Sequence, residues 1–297
     1  MFISAFLFTS CSETVDKFDK RLTKKYKKKG FKANVLEKEE HSIFYYDNKK
    51  MEAPTLVFIH GFGGDGKISW AEQAKEFKDD YRVIIPDLLW FGSSFSTKTP
   101  SLKSQTEAIH TLLQSLNISD AHIVGISYGG FVAIDYAHTY EDELKSLTIV
   151  NSPGAVIEDA EIDKFCDRIG VRNVKEAFIP KTGSDVKRLL DFSFYHPPKI
   201  PNFLMDQVKE QYFSKHPEQQ ADLLDELPSN RDRLHGPVKA PTYIIWGMED
   251  HVFHVYDAYT LKWEMIAKLK VIPKAGHALP GEKPSEFNDA LRSFIEE

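Results

Sequence analysis

Hydrophobic residues follow two patterns along this chain. Short unbroken apolar runs, such as Thr55-Leu-Val-Phe-Ile59, suit strands buried on both faces. Comparable runs occupy 82–85, 121–126, 146–150, 242–246 and 269–272. Between most of them lie amphipathic stretches of helical length, at 70–77, 101–116, 130–140, 258–267 and 284–295. Strand alternating with helix predicts an α/β fold with a doubly wound, mostly parallel sheet. Before this regular part, 30–47 alternates loosely through Phe31, Ala33, Val35, Ile43 and Tyr45, as a hairpin at a sheet edge does.

One region breaks the alternation. From Asn151 to about Gly236 no strong strand run occurs, while helical patterns, the cluster Phe192-Ser-Phe-Tyr-His196, and Pro197, Pro198 and Pro201 do. An insertion between two core strands sits over the strand ends, where open α/β sheets bind ligands. The expected organisation is therefore a core of 31–150 and 237–297 with a helical cap at 151–236. The cap aromatics Phe192, Phe194, Tyr195, Phe203, Tyr212 and Phe213 either line an apolar tunnel or pack the cap on the core.

Composition is that of an ordinary globular chain, with 42% hydrophobic and 28% charged residues in 297. A net charge of −6 offers nucleic acid no general attractive field. Charge is unevenly placed, however. Within the basic segment 12–30, between Lys17 and Lys29, stand Lys17, Lys20, Arg21, Lys24, Lys25, Lys27, Lys28 and Lys29 against the single acid Asp19. That segment suits contact with anionic lipid, or a solvated, partly mobile helix. The chain has only Cys11 and Cys166, which excludes a disulfide scaffold and a four-cysteine zinc site. No metal or cofactor is called for, and Cys166 reads as a buried or half-buried thiol.

The first residues, Met1-Phe-Ile-Ser-Ala-Phe-Leu-Phe-Thr-Ser-Cys11, resemble a bacterial lipoprotein signal in which Cys11 is the lipidated residue. The run lacks the usual leading Lys or Arg, has Phe8 where Leu is common, and is short for a signal. The expectation is a signal over 1–11 and a lipid-anchored protein of the cell envelope, the alternative being a cytoplasmic protein with a greasy start.

Candidate chemistry centres on Gly125-Ile-Ser127-Tyr-Gly129. A G-x-S-x-G arises by chance in roughly one chain in ten at ordinary Gly and Ser usage. Here it joins a buried strand to a helix. A turn that sharp strains its central residue and leaves its neighbours no room for side chains, so the hydroxyl of Ser127 stands exposed at a helix N-terminus. His60-Gly-Phe-Gly-Gly-Asp65 follows the first buried strand, so the amides of Phe62 and Tyr128 can converge as an oxyanion site, and His60 reads as a loop-orienting residue. An acid and then a base should follow. Asp250 follows the strand at 242–246, with Glu249 beside it fitting less well, and Asn151 is excluded as an amide. His277 follows the last strand, a position that selects it over His196, His235, His251 and His254.

Taken in order, "HGFGGDG", "PDLLWFGSS", "GISYGG", "WGMEDHVF" and "AGHALPGEKP" resemble the α/β-hydrolase superfamily, specifically serine esterases related to monoacylglycerol lipases. The resemblance spans about 44–294 and implies Ser127 as nucleophile, Asp250 as triad acid, His277 as general base, and Phe62 and Tyr128 as backbone oxyanion donors. It implies hydrolysis of carboxylic esters, acylglycerols or other lipid esters, through an acyl-enzyme. Asp87 matches a position that is structural in the superfamily. Two alternatives stay open: carbon–carbon bond hydrolysis by the same triad, and a non-catalytic ligand-binding member of the fold.

Overall fold

The computed structural model describes residues 14–297. Nine strands form one sheet: β1 (Lys32–Lys38), β2 (His41–Asp47), β3 (Thr55–Ile59), β4 (Arg82–Pro86), β5 (Phe95–Ser96), β6 (Ala121–Ile126), β7 (Leu144–Val150), β8 (Thr242–Gly247) and β9 (Lys268–Ile272). Their order is β1-β2-β4-β3-β6-β7-β8-β9, with β5 paired to β2. The pairings from β4 across to β9 are parallel, and those of β2 with β1, β4 and β5 are antiparallel.

The central runs are unbroken because both sheet faces are covered. Along β3, Val57 and Ile59 join the cluster containing Trp90, Phe131 and Trp246, whereas Leu56 and Phe58 join the one containing Trp70, Phe77 and Phe287. Successive side chains of a strand point to opposite faces, so a strand between two helical layers has no polar side. Fully burying each such side chain contributes roughly 1.5–3 kcal/mol.

Between β7 and β8 lie the helices Asp159–Ile169, Val174–Phe178, Gly183–Ser193, Asn202–Phe213 and Pro217–Glu226, with 3-10 turns at Gly154–Val156 and Leu227–Leu234 and no strand. Two of them form a small core with Val15 of the N-terminal segment through Val186, Leu190, Leu204, Met205 and Val208. The caps are local: Thr182 and Asp185 form a reciprocal capping box, and Asn173 accepts from the amide of Glu176.

The basic segment is more firmly placed than a solvated, mobile helix. It forms Val15–Lys28, with Thr14 capping the amide of Lys17 and Lys25, Lys27 and Lys28 in the last turn, where the helix dipole favours cations. Val15, Phe18, Leu22 and Tyr26 recur at helical spacing and are all buried. Asp19 accepts hydrogen bonds from Lys67 Nζ at 2.7 Å and from the Tyr212 hydroxyl at 3.0 Å. Those partners belong to the short helix Gly66–Ser69 and to the helix Asn202–Phe213, so the N-terminal helix ties the two together. Its lysines remain at the surface, except that Lys29 is half-buried. Cys11 and the segment 1–11 lie outside the described residues. Among the described residues, no helix is long and apolar enough to cross a membrane.

Candidate active site

Ser127 closes β6 and opens the helix Tyr128–Thr139 at φ 53° and ψ −122°. A non-glycine residue in that region carries strain of order 1–3 kcal/mol, held in place by its surroundings. Those surroundings are tight. The Ser127 amide donates to Val150 O at 2.9 Å, and its carbonyl accepts from Gly130 N at 2.8 Å. A Cβ at position 125 would stand 2.2 Å from Gly129 O, and one at 129 would stand 2.3 Å from His60 O. Only glycine fits on either side of the serine.

The loop after β3 abuts this turn, since a Cβ on Gly61 would lie 3.1 Å from Ser127 Cβ. His60 is wholly buried and neutral. Its Nδ1 donates to Gly61 O at 2.7 Å, while Nε2 accepts from Leu88 N at 2.9 Å. Burial pushes its pKa down to about 4. It orients the loop, as its sequence position suggests, and cannot serve as a base with Nε2 already engaged. Asp87 is also structural: Oδ1 accepts from Gly66 N and Oδ2 from Ser93 N, both at 2.9 Å. Burial, with Asp65 nearby, raises its pKa to about 7. Within the described chain, neither the Phe62 nor the Tyr128 amide donates to an acceptor.

His277 and Asp250 meet. Asp250 Oδ2 accepts from His277 Nδ1 at 2.8 Å, and Oδ1 accepts from Val252 N at 2.7 Å and Phe253 N at 3.1 Å. With its proton on Nδ1, the imidazole presents a lone pair at Nε2. That nitrogen is buried and has no hydrogen-bond partner among the described residues. It faces the problem every orphaned buried polar atom poses, and here the neighbouring pocket supplies an answer. His277 and Ser127 line the same cavity of about 190 Å³.

Residues that sequence reasoning passed over hold the histidine loop. The Asn151 side chain, set aside above as a mere amide, donates to His277 O at 2.8 Å and Gly276 O at 3.1 Å and accepts from Gly247 N at 2.8 Å. Glu249 accepts from Ala275 N at 3.1 Å. Glu282 accepts from Gly276 N at 2.8 Å and from Tyr195 N and His196 N in the insertion. The only sequence signal for these roles is position: Asn151 and Glu249 lie just beyond strands, and Glu282 ends the short helix Leu279–Glu282 that follows the His277 loop. Cys166 is buried, and burial pushes its thiol pKa up.

Aromatics of the insertion do not share one role. Phe194, Tyr212 and Phe213 line the Ser127 cavity. Phe192 packs edge-on against Phe165 and Phe178, and Phe203 is 65% exposed. Among the described residues, those that line this cavity include no Lys, Arg, Asp or Glu.

This fold and turn agree with the comparisons. The family model described as the alpha/beta hydrolase fold matches residues 54–284, and the chain belongs to that family. It is 29% identical to a lipase of Psychrobacter immobilis, over 85% of this chain and 80% of that one. It is 24% identical to a monoacylglycerol lipase of Bos taurus, over 90% and 82%, and 25% identical to a 2-hydroxy-6-oxo-6-phenylhexa-2,4-dienoate hydrolase of Comamonas testosteroni, over 89% and 95%. The crystal structure of a bacterial membrane phospholipase A superposes with a TM-score of 0.78 at 22% identity, covering 94% of this chain and 91% of that one.

Proposed function

We propose that this protein hydrolyses carboxylic esters, lipid esters among them, through an acyl-enzyme on Ser127. The observation that carries the reading is the unpartnered Nε2 of an Asp250-bound His277, buried in the cavity that also holds the strained Ser127. His277 Nε2 takes the Ser127 proton as Oγ attacks the ester carbonyl. The Phe62 and Tyr128 amides then receive the oxyanion, one such donor being worth ~3 to 4 kcal/mol. Collapse breaks the acyl–oxygen bond, and His277 returns the proton to the departing alcohol. Water, deprotonated by the same nitrogen, releases the acid and restores Ser127.

Neutral esters suit the cavity better than the dienoates named for one relative. A substrate carboxylate brought into an apolar site needs a cationic or multiply donating partner, and the walls supply no Lys or Arg. Rates on p-nitrophenyl and acylglycerol esters, set beside rates on a hydroxy-oxo-dienoate, decide between the two. Turnover of the dienoate alone would reverse the assignment.

We also propose a cell-envelope location, with a lipid on Cys11 as tether and the basic face of the helix Val15–Lys28 against anionic headgroups. The signal-like residues before Cys11 and the exposed lysines support it. Metabolic labelling with a palmitate analogue tests it. Label on the native chain and none on Cys11→Ala is the expected result, and no label on either overturns it.

A further inference from the structure

A second apolar cavity lies beside the one that holds Ser127. It measures about 380 Å³, twice the volume of its neighbour. One side chain lines both: Phe178, the last residue of the short helix Val174–Phe178. On the far side of that ring the apolar part of the wall includes Phe131 of the helix that follows Ser127, Phe253 of the Asp250 loop, and Ile162, Leu224 and Leu227 of the insertion. Asp250 itself borders the cavity, and the Phe253 ring stands 5.5 Å from the ring of His277. The second cavity therefore abuts the proposed triad from behind Phe178.

Volume and chemistry indicate an occupant. Sites for small ligands occupy about 300–1,000 Å³, and the Ser127 cavity alone falls below that range. Most of the surface of both cavities is apolar. The second also carries charged side chains, of which Asp159, Glu161, Asp163, Lys164 and Arg168 are exposed to solvent, so the group that fits the aromatic and aliphatic surface the two share is a hydrocarbon. The Phe178 ring is held by other rings: stacked at 5.8 Å on Phe165, edge-on at 5.7 Å to Phe192 and at 6.1 Å to Phe62. Such contacts have no polar anchor, and the ring is only half-buried. A turn of this one side chain would join the two spaces.

We propose that the second cavity receives the hydrocarbon chain of the acyl group, and that Phe178 is the side chain that turns to admit it. The assignment rests on ester hydrolysis at Ser127 as proposed above. It makes Phe178 a specificity-determining residue and medium to long acyl chains the preferred class.

Two ester series test it: p-nitrophenyl esters from acetyl to palmitoyl, and acetates of alcohols of rising chain length. In the native protein kcat/KM is expected to rise about fourfold per acyl methylene buried until the cavity is filled. Leu224→Trp fills the cavity and should lower the long-to-short ratio in the acyl series at least tenfold, leaving the ratio in the alcohol series as it was. Ile162→Trp fills it from another wall should the first variant fail to fold, and Phe178→Ala should raise the acyl ratio. Equal losses at every acyl length, or a change confined to the alcohol series, overturns the assignment. Binding of the neutral ester methyl dodecanoate to Ser127→Ala, measured by calorimetry, needs no turnover. It should weaken at least tenfold when Leu224→Trp is added, and absent or unaltered binding also overturns the cavity assignment. If no ester were turned over while this binding behaved as expected, the esterase reading would fall and the hydrocarbon site would stand.

Discussion

The side-chain amide of Asn151 donates to the backbone carbonyl of His277 at 2.8 Å, tying the end of β7 to a loop 126 residues away. The same amide group spans Gly276 O and, through its oxygen, Gly247 N. The imidazole thus hangs from a loop held by a buried three-way clamp as well as by Asp250.

Asn151→Ala removes that clamp and leaves buried carbonyls unpaired, at about 1–3 kcal/mol of stability. Because small misplacements of a catalytic group are costly, kcat should fall roughly 10- to 100-fold with KM little changed. Steady-state kinetics beside thermal unfolding checks both, and an unaltered kcat in a folded variant would remove Asn151 from the positioning role.

Asp250→Asn keeps the shape of the acid but favours the wrong histidine tautomer. In a working triad that exchange lowers kcat about 10⁴-fold. Loss of less than tenfold on p-nitrophenyl butyrate would point to another acid, and Glu249 is not placed to be one, since its carboxylate accepts from Ala275 N.

Gly129→Ala places a methyl 2.3 Å from His60 O and 2.5 Å from Ile59 O, both backbone atoms. Overpacking of this kind costs roughly 1–3 kcal/mol or more. The variant should unfold at a clearly lower denaturant midpoint, and native-like stability would contradict the tight turn.

His60 gives stability a pH dependence. Its folded pKa of about 4 lies below the unfolded value, so the unfolded chain binds more protons between these two values and stability falls as pH drops through that window. Between pH 7 and pH 5 the loss from this residue alone is on the order of 2 kcal/mol. His60→Gln should be less stable at neutral pH and show a flatter acid limb in urea titrations. A limb as steep as the native one would clear His60 of the effect.

The strands β3, β6 and β8 were legible because a run buried on both faces has no polar alternation to blur it. Ser127 was legible for the same reason, as its strand ends where the glycines begin. β5, two residues long, carries too little pattern to register. The helix at Val255–Glu264 starts before the expected stretch 258–267, where His254 accepts from the amide of Tyr256 and caps it. In the basic segment, lysines dominate the composition and hide the buried stripe of Val15, Phe18, Leu22 and Tyr26. Asn151 was illegible as a clamp because its partners are backbone carbonyls and an amide far along the chain, which no local motif encodes.

The central claim is that Ser127 carries the acyl group, and intact-mass analysis after reaction with a fluorophosphonate tests it most directly. The account expects one adduct on the native protein, mapped to the peptide containing Ser127, none on Ser127→Ala, and little on His277→Ala. An adduct that persists on folded Ser127→Ala, or a native protein that never reacts, would contradict it.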